Sequence, residues 1–147
     1  MEPGRAIIGP TTSTIYEVGT VKEVELDQGS RSYISVDGGM SDNIRTSLYD
    51  ATYSVALANR ISAAPLRSSR VVGKHCETGD IVVRECQLPS DVKPGDLLVT
   101  PATGAYGRSM ASNYNHVPRP PVIAIRDGKA RIIVRRETYH DLLGLDL

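Results

Sequence analysis

The run from Thr14 to Val36 constrains the fold more than any other part of this chain. Thr14–Leu26 alternates apolar with polar residues over much of its length, the period of a strand with one face buried, and Gly19 interrupts it. Asp27-Gln28-Gly29-Ser30 is turn chemistry, and Arg31 to Val36 reads as a returning strand, so the two form a hairpin. Asp127-Gly128, between Pro121–Arg126 and Lys129–Arg135, is a second and stronger hairpin signal. Thr52–Ala58, Arg70–His75, Asp80–Arg84 and Leu97–Thr100 add strands at regular spacing. Ile61–Ser69, with Pro65 inside it, reads as a loop, and Leu88–Asp96, with Pro89, Pro94 and Gly95, as a long turn. Helices are short: one capped by Ser41 with Asp42 in its first turn, and one over Thr138–Leu145 capped by Thr138 with Asp141 three residues on. Ser109–Asn115 reads as a polar or helical turn, and Glu2-Pro3-Gly4-Arg5 as a strand end with a tight turn. The expected fold is mainly β, a sandwich or barrel with a few short helices.

The core palette agrees. Tyrosine supplies all seven aromatic residues, so Val, Ile, Leu and Ala must fill the interior. At 147 residues the chain is the size of one domain and can bury a core without staples. Acidic and basic residues number 17 each, which gives no charge argument for nucleic acid or an anionic membrane surface. No apolar run approaches a membrane span, and no signal peptide is visible. Cys76 and Cys86 form neither a disulfide framework nor a Cys-x-x-Cys knuckle, which fits a reduced cytosolic setting. A zinc site from His75, Cys76, Cys86 and His116 matches no ligand spacing, and no metal is expected.

Three places carry possible chemistry. In Gly73–Asp80, Cys76 stands beside Glu77: a proton donor with a usual pKa of about 8.5 next to an acceptor for an ammonium group. A buried thiol beside ordinary turn residues is the plainer reading of the same stretch. Arg45 and Tyr49 stand four apart on one helix face and can clasp a carboxylate together, or form a solvated face with Tyr49 half buried. In Gly104-Ala105-Tyr106-Gly107 two glycines permit a close backbone approach and present Tyr106, although an exposed loop tyrosine would read the same way.

Taken together, five stretches resemble one family: Glu2-Pro3-Gly4-Arg5; Asp37-Gly38-Gly39-Met40 leading to Asn43-Ile44-Arg45 and Tyr49; Cys76-Glu77-Thr78-Gly79-Asp80; Gly104-Ala105-Tyr106; and Met110-Ala111-Ser112-Asn113-Tyr114-Asn115. In this order and spacing they are similar to the C-terminal part of the diaminopimelate decarboxylases, pyridoxal-phosphate enzymes of alanine racemase-like fold. The resemblance runs from Glu2 essentially to the end. It implies a C-terminal β domain over residues 14–147, preceded at 1–13 by a residual edge of an N-terminal (β/α)8 barrel that this chain lacks. Active-site groups at the C-terminal ends of barrel strands are also expected on physical grounds.

The resemblance further implies roles. Glu2, Pro3, Gly4 and Arg5 would lie against pyridoxal 5'-phosphate, as would Tyr106. Arg5, Arg45 and Tyr49 would hold the distal carboxylate of meso-diaminopimelate, Glu77 its distal ammonium, with Tyr106 also reaching the substrate. Cys76 would be the proton donor, acting with Glu77 in the site of the other subunit of a homodimer. The activity implied is decarboxylation of meso-diaminopimelate to L-lysine in lysine biosynthesis. Related ornithine decarboxylases carry Asp after the Cys and need no second carboxylate clasp, so Glu77 with Arg5, Arg45 and Tyr49 favours diaminopimelate over ornithine or arginine. Thr78, where the family often has Ser, and Arg108, where an aromatic or small residue is common, depart from the pattern. None of Lys22, Lys74, Lys93 and Lys129 lies in a stretch like the family's cofactor-lysine motif. The chain alone is therefore expected not to attach the cofactor and to be inactive, with a sheet edge open to self-association. The alternative readings are a stand-alone binding or dimerisation module without catalysis, or the domain of a related ornithine- or arginine-type decarboxylase.

Overall fold

A computed structural model describes all 147 residues. After a short helix α1 (Gly4–Ile8) and a 3-10 turn at Gly9–Thr11, the chain runs through β1 (Thr14–Leu26), β2 (Gly29–Val36), α2 (Arg45–Tyr49), β3 (Ala56–Leu57), β4 (Leu66–Val72), β5 (Ile81–Pro89), β6 (Leu97–Thr100), α3 (Gly107–Met110), β7 (Val122–Arg126), β8 (Lys129–Val134) and α4 (Tyr139–Leu142). Six strands form one sheet in the order β3-β6-β1-β2-β4-β5, and β7 and β8 form a separate hairpin. All pairings are antiparallel except β2 with β4. The two edge strands β3 and β5 also touch, so the sheet curls into a nearly closed barrel.

The expected first hairpin forms, and its interruption lies where glycine marked it. The β1–β2 register shifts between Val18 and Val21, while Thr20 N donates to Ser35 Oγ at 2.7 Å. A Cβ on Gly19 would lie 3.0 Å from that oxygen, so the bulge favours glycine. Tyr16 and Val18 of β1, Ile34 and Val36 of β2, Val71 of β4, Val82, Val83 and Leu88 of β5, and Leu98 of β6 meet in one core with Val92. Asp127 (φ 52°) and Gly128 (φ 71°) adopt the left-handed turn expected between β7 and β8. Thr138 Oγ1 accepts from Asp141 N while Asp141 accepts from Thr138 N, a complete capping box at α4.

Several boundaries differ from expectation, each for a physical reason. Thr52–Ala58 forms a strand only at Ala56–Leu57, where it pairs with β6. The segment after Pro65 enters the sheet at Leu66, since β2 and β5 on either side satisfy its backbone. β4 ends at Val72, short of His75, and β5 runs on to Pro89, so Leu88 is core and not turn. Residues Glu2–Arg5 enter a helical turn in place of a strand end. Ser41 and Asp42 do not cap α2, whose N-cap is Ile44. Asp42 instead accepts from Tyr16 Oη and from Gly39 N, both at 2.6 Å, and pins the Asp37–Met40 loop onto β1. Burial raises the Asp42 carboxyl, and the same burial, with Asp42 alongside, raises the Tyr16 phenol well above its ordinary value.

Candidate functional site

The expected site residues form two groups. The first lines a cleft of about 850 Å³ between α1, α2 and the loop after β6, walled by Glu2, Pro3, Arg5, Arg45, Tyr49, Tyr53 and Ala102 among others. Gly4 is not among the residues on this wall, although the space beside its Cα is open, with no atom within 4 Å of an added Cβ.

Arg45 is the centre of this group. Its guanidinium carbon lies 5.4 Å from the Tyr49 ring centroid and 5.1 Å from that of Tyr106, which stands beside Arg45 from a different loop but, like Gly4, is not on the cleft wall. Neither Arg5 nor Arg45 forms an ion pair within the chain. Two unneutralised guanidinium groups, one of them flanked by two tyrosine rings, make a surface for carboxylate or phosphate oxygens.

Tyr106 is held in a costly conformation. It has φ 67°, which a bulky residue adopts only when its surroundings dictate it. Two residues earlier, the Gly104 backbone packs onto the end of α1; a Cβ there would lie 2.2 Å from the Ile8 carbonyl oxygen. The close approach expected of this glycine is therefore to the cleft wall itself.

The second group is the loop between β4 and β5. Cys76 is exposed, so the plain reading of a buried thiol fails, whereas its neighbour His75 is only 8% exposed. Glu77 accepts a short hydrogen bond from Tyr114 Oη. His75 Nε2 and Ser41 Oγ are 2.8 Å apart, and the His75 ring meets the Tyr114 ring edge-on with centroids 5.4 Å apart. The bond to Glu77, with smaller effects of desolvation and of charge on Glu77 and Cys76, raises the Tyr114 phenol above its usual range. Cys76 and Glu77 do not line the cleft that holds Arg5 and Arg45. Cys86 lies elsewhere, on β5, bonded to the Ser69 carbonyl; burial first, then Glu85, pushes its thiol up to about 11. No three His, Cys, Asp or Glu side chains converge in the arrangement of a metal site, and His75, Cys76, Cys86 and His116 are not brought together.

Asp80, which the sequence reading places at the start of a strand with no role of its own, holds the second group in place. Its carboxylate is 3% exposed and accepts from Met40 N and His75 N, each at 2.6 Å. A Cβ on Gly73 would fall 2.2 Å from Asp80 Oδ2, and one on Gly39 2.5 Å from Oδ1, so both glycines leave room for this carboxylate. Tyr114 was inside a family-like stretch but carried no role. Only folding shows that it meets Glu77, 37 residues away.

Comparison with known proteins places this geometry. The chain is 57% identical to diaminopimelate decarboxylase of Mycobacterium tuberculosis over 148 residues, covering all of this chain and 33% of that protein. It is 50% identical to the Bacillus subtilis diaminopimelate decarboxylase, with the same coverage of each. The fold superposes with TM-score 0.84 on diaminopimelate decarboxylase from Helicobacter pylori complexed with L-lysine, at 34% identity, covering 97% of this chain and 33% of that one. The chain thus spans about a third of the length of the curated relatives it matches. Residues 10–104 match the pyridoxal-dependent decarboxylase C-terminal sheet domain, and the chain belongs to that family.

Proposed function

We propose that this chain is the C-terminal part of a diaminopimelate decarboxylase that forms L-lysine from meso-diaminopimelate, working in the cytoplasm as a homodimer with an N-terminal barrel domain. The observation that carries the reading is the convergence on one cleft of Arg5 and Arg45, two guanidinium groups with no carboxylate partner in the chain. On this reading residues 1–13 are the edge of the barrel and residues 14–147 the β domain.

The residues present fit the cofactor's chemistry. The cleft offers cationic groups, the backbone at Gly4, between the lining residues Pro3 and Arg5, is open, and Tyr106 stands beside Arg45. Pyridoxal 5'-phosphate, when bound, supplies the electron sink that lets the substrate carboxylate leave as CO2. Glu2, Pro3, Gly4, Arg5 and Tyr106 border the place it would take, while its lysine lies outside this chain.

The chain's own work is binding and proton delivery. Arg5 and Arg45 hold the distal carboxylate through charge-assisted hydrogen bonds, and Tyr49 adds its hydroxyl. Glu77 receives the distal ammonium, which distinguishes a substrate with both groups at its far end from a simple diamine precursor. Cys76 holds the proton delivered to the carbon that loses CO2. Because Cys76 and Glu77 lie off the cleft that holds Arg5 and Arg45, the thiol group of one subunit completes the cleft of its partner. The test is lysine formation by the full-length protein: the parent releases CO2 from meso-diaminopimelate, and Cys76→Ala lowers kcat by about 100-fold or more, the usual contribution of a positioned proton donor. A full-length parent that turns over ornithine but not diaminopimelate would overturn the reading. The 147-residue chain alone is expected to show no activity.

A further inference from the structure

The segment after α3 is built to hold one tyrosine against the Cys76–Glu77 loop. Tyr114 is followed by Asn115 and His116, both with positive φ (55° and 54°), a pair of left-handed residues without a glycine. Such strain persists only where the surroundings fix it. Here Ser112 N donates to the Ser41 carbonyl at 2.9 Å, and Val117 N donates to the Tyr114 carbonyl at 3.2 Å. The Tyr114 ring rests edge-on against His75, itself fixed through Ser41 at its ring and Asp80 at its backbone. The ring can therefore move little, and its hydroxyl is aimed at one atom, Glu77 Oε1.

Glu77 has no other side-chain partner: it forms no ion pair, and Oε2 accepts no hydrogen bond within the chain. A flexible glutamate on an exposed loop would otherwise lose rotamer freedom on meeting a cation. One oxygen tethered and the other open is a preset acceptor. The raised Tyr114 phenol stays protonated at neutral pH and so remains the donor.

We propose that Tyr114 is a positioning residue: it fixes Glu77 with one carboxylate oxygen free, and so sets the preference for ligands that carry an ammonium at their distal end. The inference rests on the assignment of Glu77 to that ammonium. It is tested in the full-length, cofactor-loaded protein by dissociation constants for two probes, L-lysine and ε-aminocaproate. The second is lysine without its α-amino group, with the same carboxylate and chain.

Tyr114→Phe keeps the ring and its contact with His75, and Tyr114 is partly exposed (39%), so the fold has no reason to fail. The expected result is about tenfold weaker binding of L-lysine, the scale of losing a hydrogen bond to a charged group, with ε-aminocaproate within about twofold of the parent. Glu77→Gln should show the same selective pattern. If Glu77→Gln is selective and Tyr114→Phe weakens both probes equally or neither, Tyr114 has no positioning role and the Glu77 assignment stands. If Glu77→Gln itself fails to discriminate the probes, the ammonium is not held by Glu77, and the inference falls with that assignment.

Discussion

Asp80→Ala tests what holds the Cys76 loop. The side chain is 3% exposed, accepts from two backbone amides at 2.6 Å, and pairs with no Lys or Arg. Removing it strands Met40 N and His75 N. Each unpaired amide costs about 1–3 kcal/mol, so the gross loss is about 2–6 kcal/mol, reduced by no longer burying a charge. We expect about 3 kcal/mol of local destabilisation. Amide hydrogen exchange in the full-length protein reads this directly, because local opening sets protection. Peptides covering residues 38–42 and 73–79 should exchange about 100-fold faster, at about 1.4 kcal/mol per tenfold.

A partner substitution sharpens the test. Gly73→Ala puts a Cβ 2.2 Å from the same carboxylate and should cost about 1–3 kcal/mol alone by overpacking. Combined with Asp80→Ala it should cost almost nothing further, because the atom it strikes is gone. Protection within about threefold of the parent in Asp80→Ala, or simple additivity in the double variant, would refute the argument.

Other outcomes follow from the same structure. Iodoacetamide should modify exposed Cys76 well before Cys86, which is partly buried and whose thiol is pushed up to about 11; equal labelling by peptide mass spectrometry would contradict this. Arg60 grips Asp96 at 2.8 Å and 3.0 Å and holds its carboxyl well below the usual range. A depressed folded pKa stabilises above the unfolded value of about 3.9 and loses that stability as pH falls below it, so the urea midpoint gap between parent and Asp96→Asn should be largest near neutrality and narrow below about pH 4. Arg45→Met in the full-length enzyme should raise KM for diaminopimelate by about 10–100-fold, the range for a charged hydrogen bond, with a smaller change in kcat; an unchanged KM would remove Arg45 from the clasp.

What could be read from the sequence was what is local. The Gly19 bulge, the Asp127-Gly128 turn and the Thr138 capping box each depend on a few neighbouring residues, and each forms as expected. Pro65 misled because a proline stops a strand only where its own amide is needed; here the sheet resumes one residue later at Leu66. Ser41 and Asp42 looked like cap residues, but tertiary partners, His75 and Tyr16, claimed both side chains. Family-like stretches marked Arg45 and Cys76, yet no local pattern could mark Asp80, because a carboxylate in a turn acquires its meaning only from the two loops that close over it.

Those two loops also explain how a split site keeps its geometry. Asp37–Met40 leads into α2 and so positions Arg45 and Tyr49; Gly73–Asp80 positions Cys76 and Glu77. Asp80 bonds to both loops, Lys74 N donates to the Gly38 carbonyl at 3.0 Å, and Ser47 Oγ of α2 donates to the Gly79 carbonyl. Arg45 and Tyr49 on one side and Cys76 on the other are therefore parts of one hydrogen-bonded unit even though they border different spaces. If the thiol of one subunit serves the partner's cleft, this unit fixes the relation between the two active sites of a dimer. Asp80→Ala should then loosen both sites together, weakening L-lysine binding while speeding Cys76 alkylation. A variant that changed one without the other would show that the clasp and the thiol are held independently.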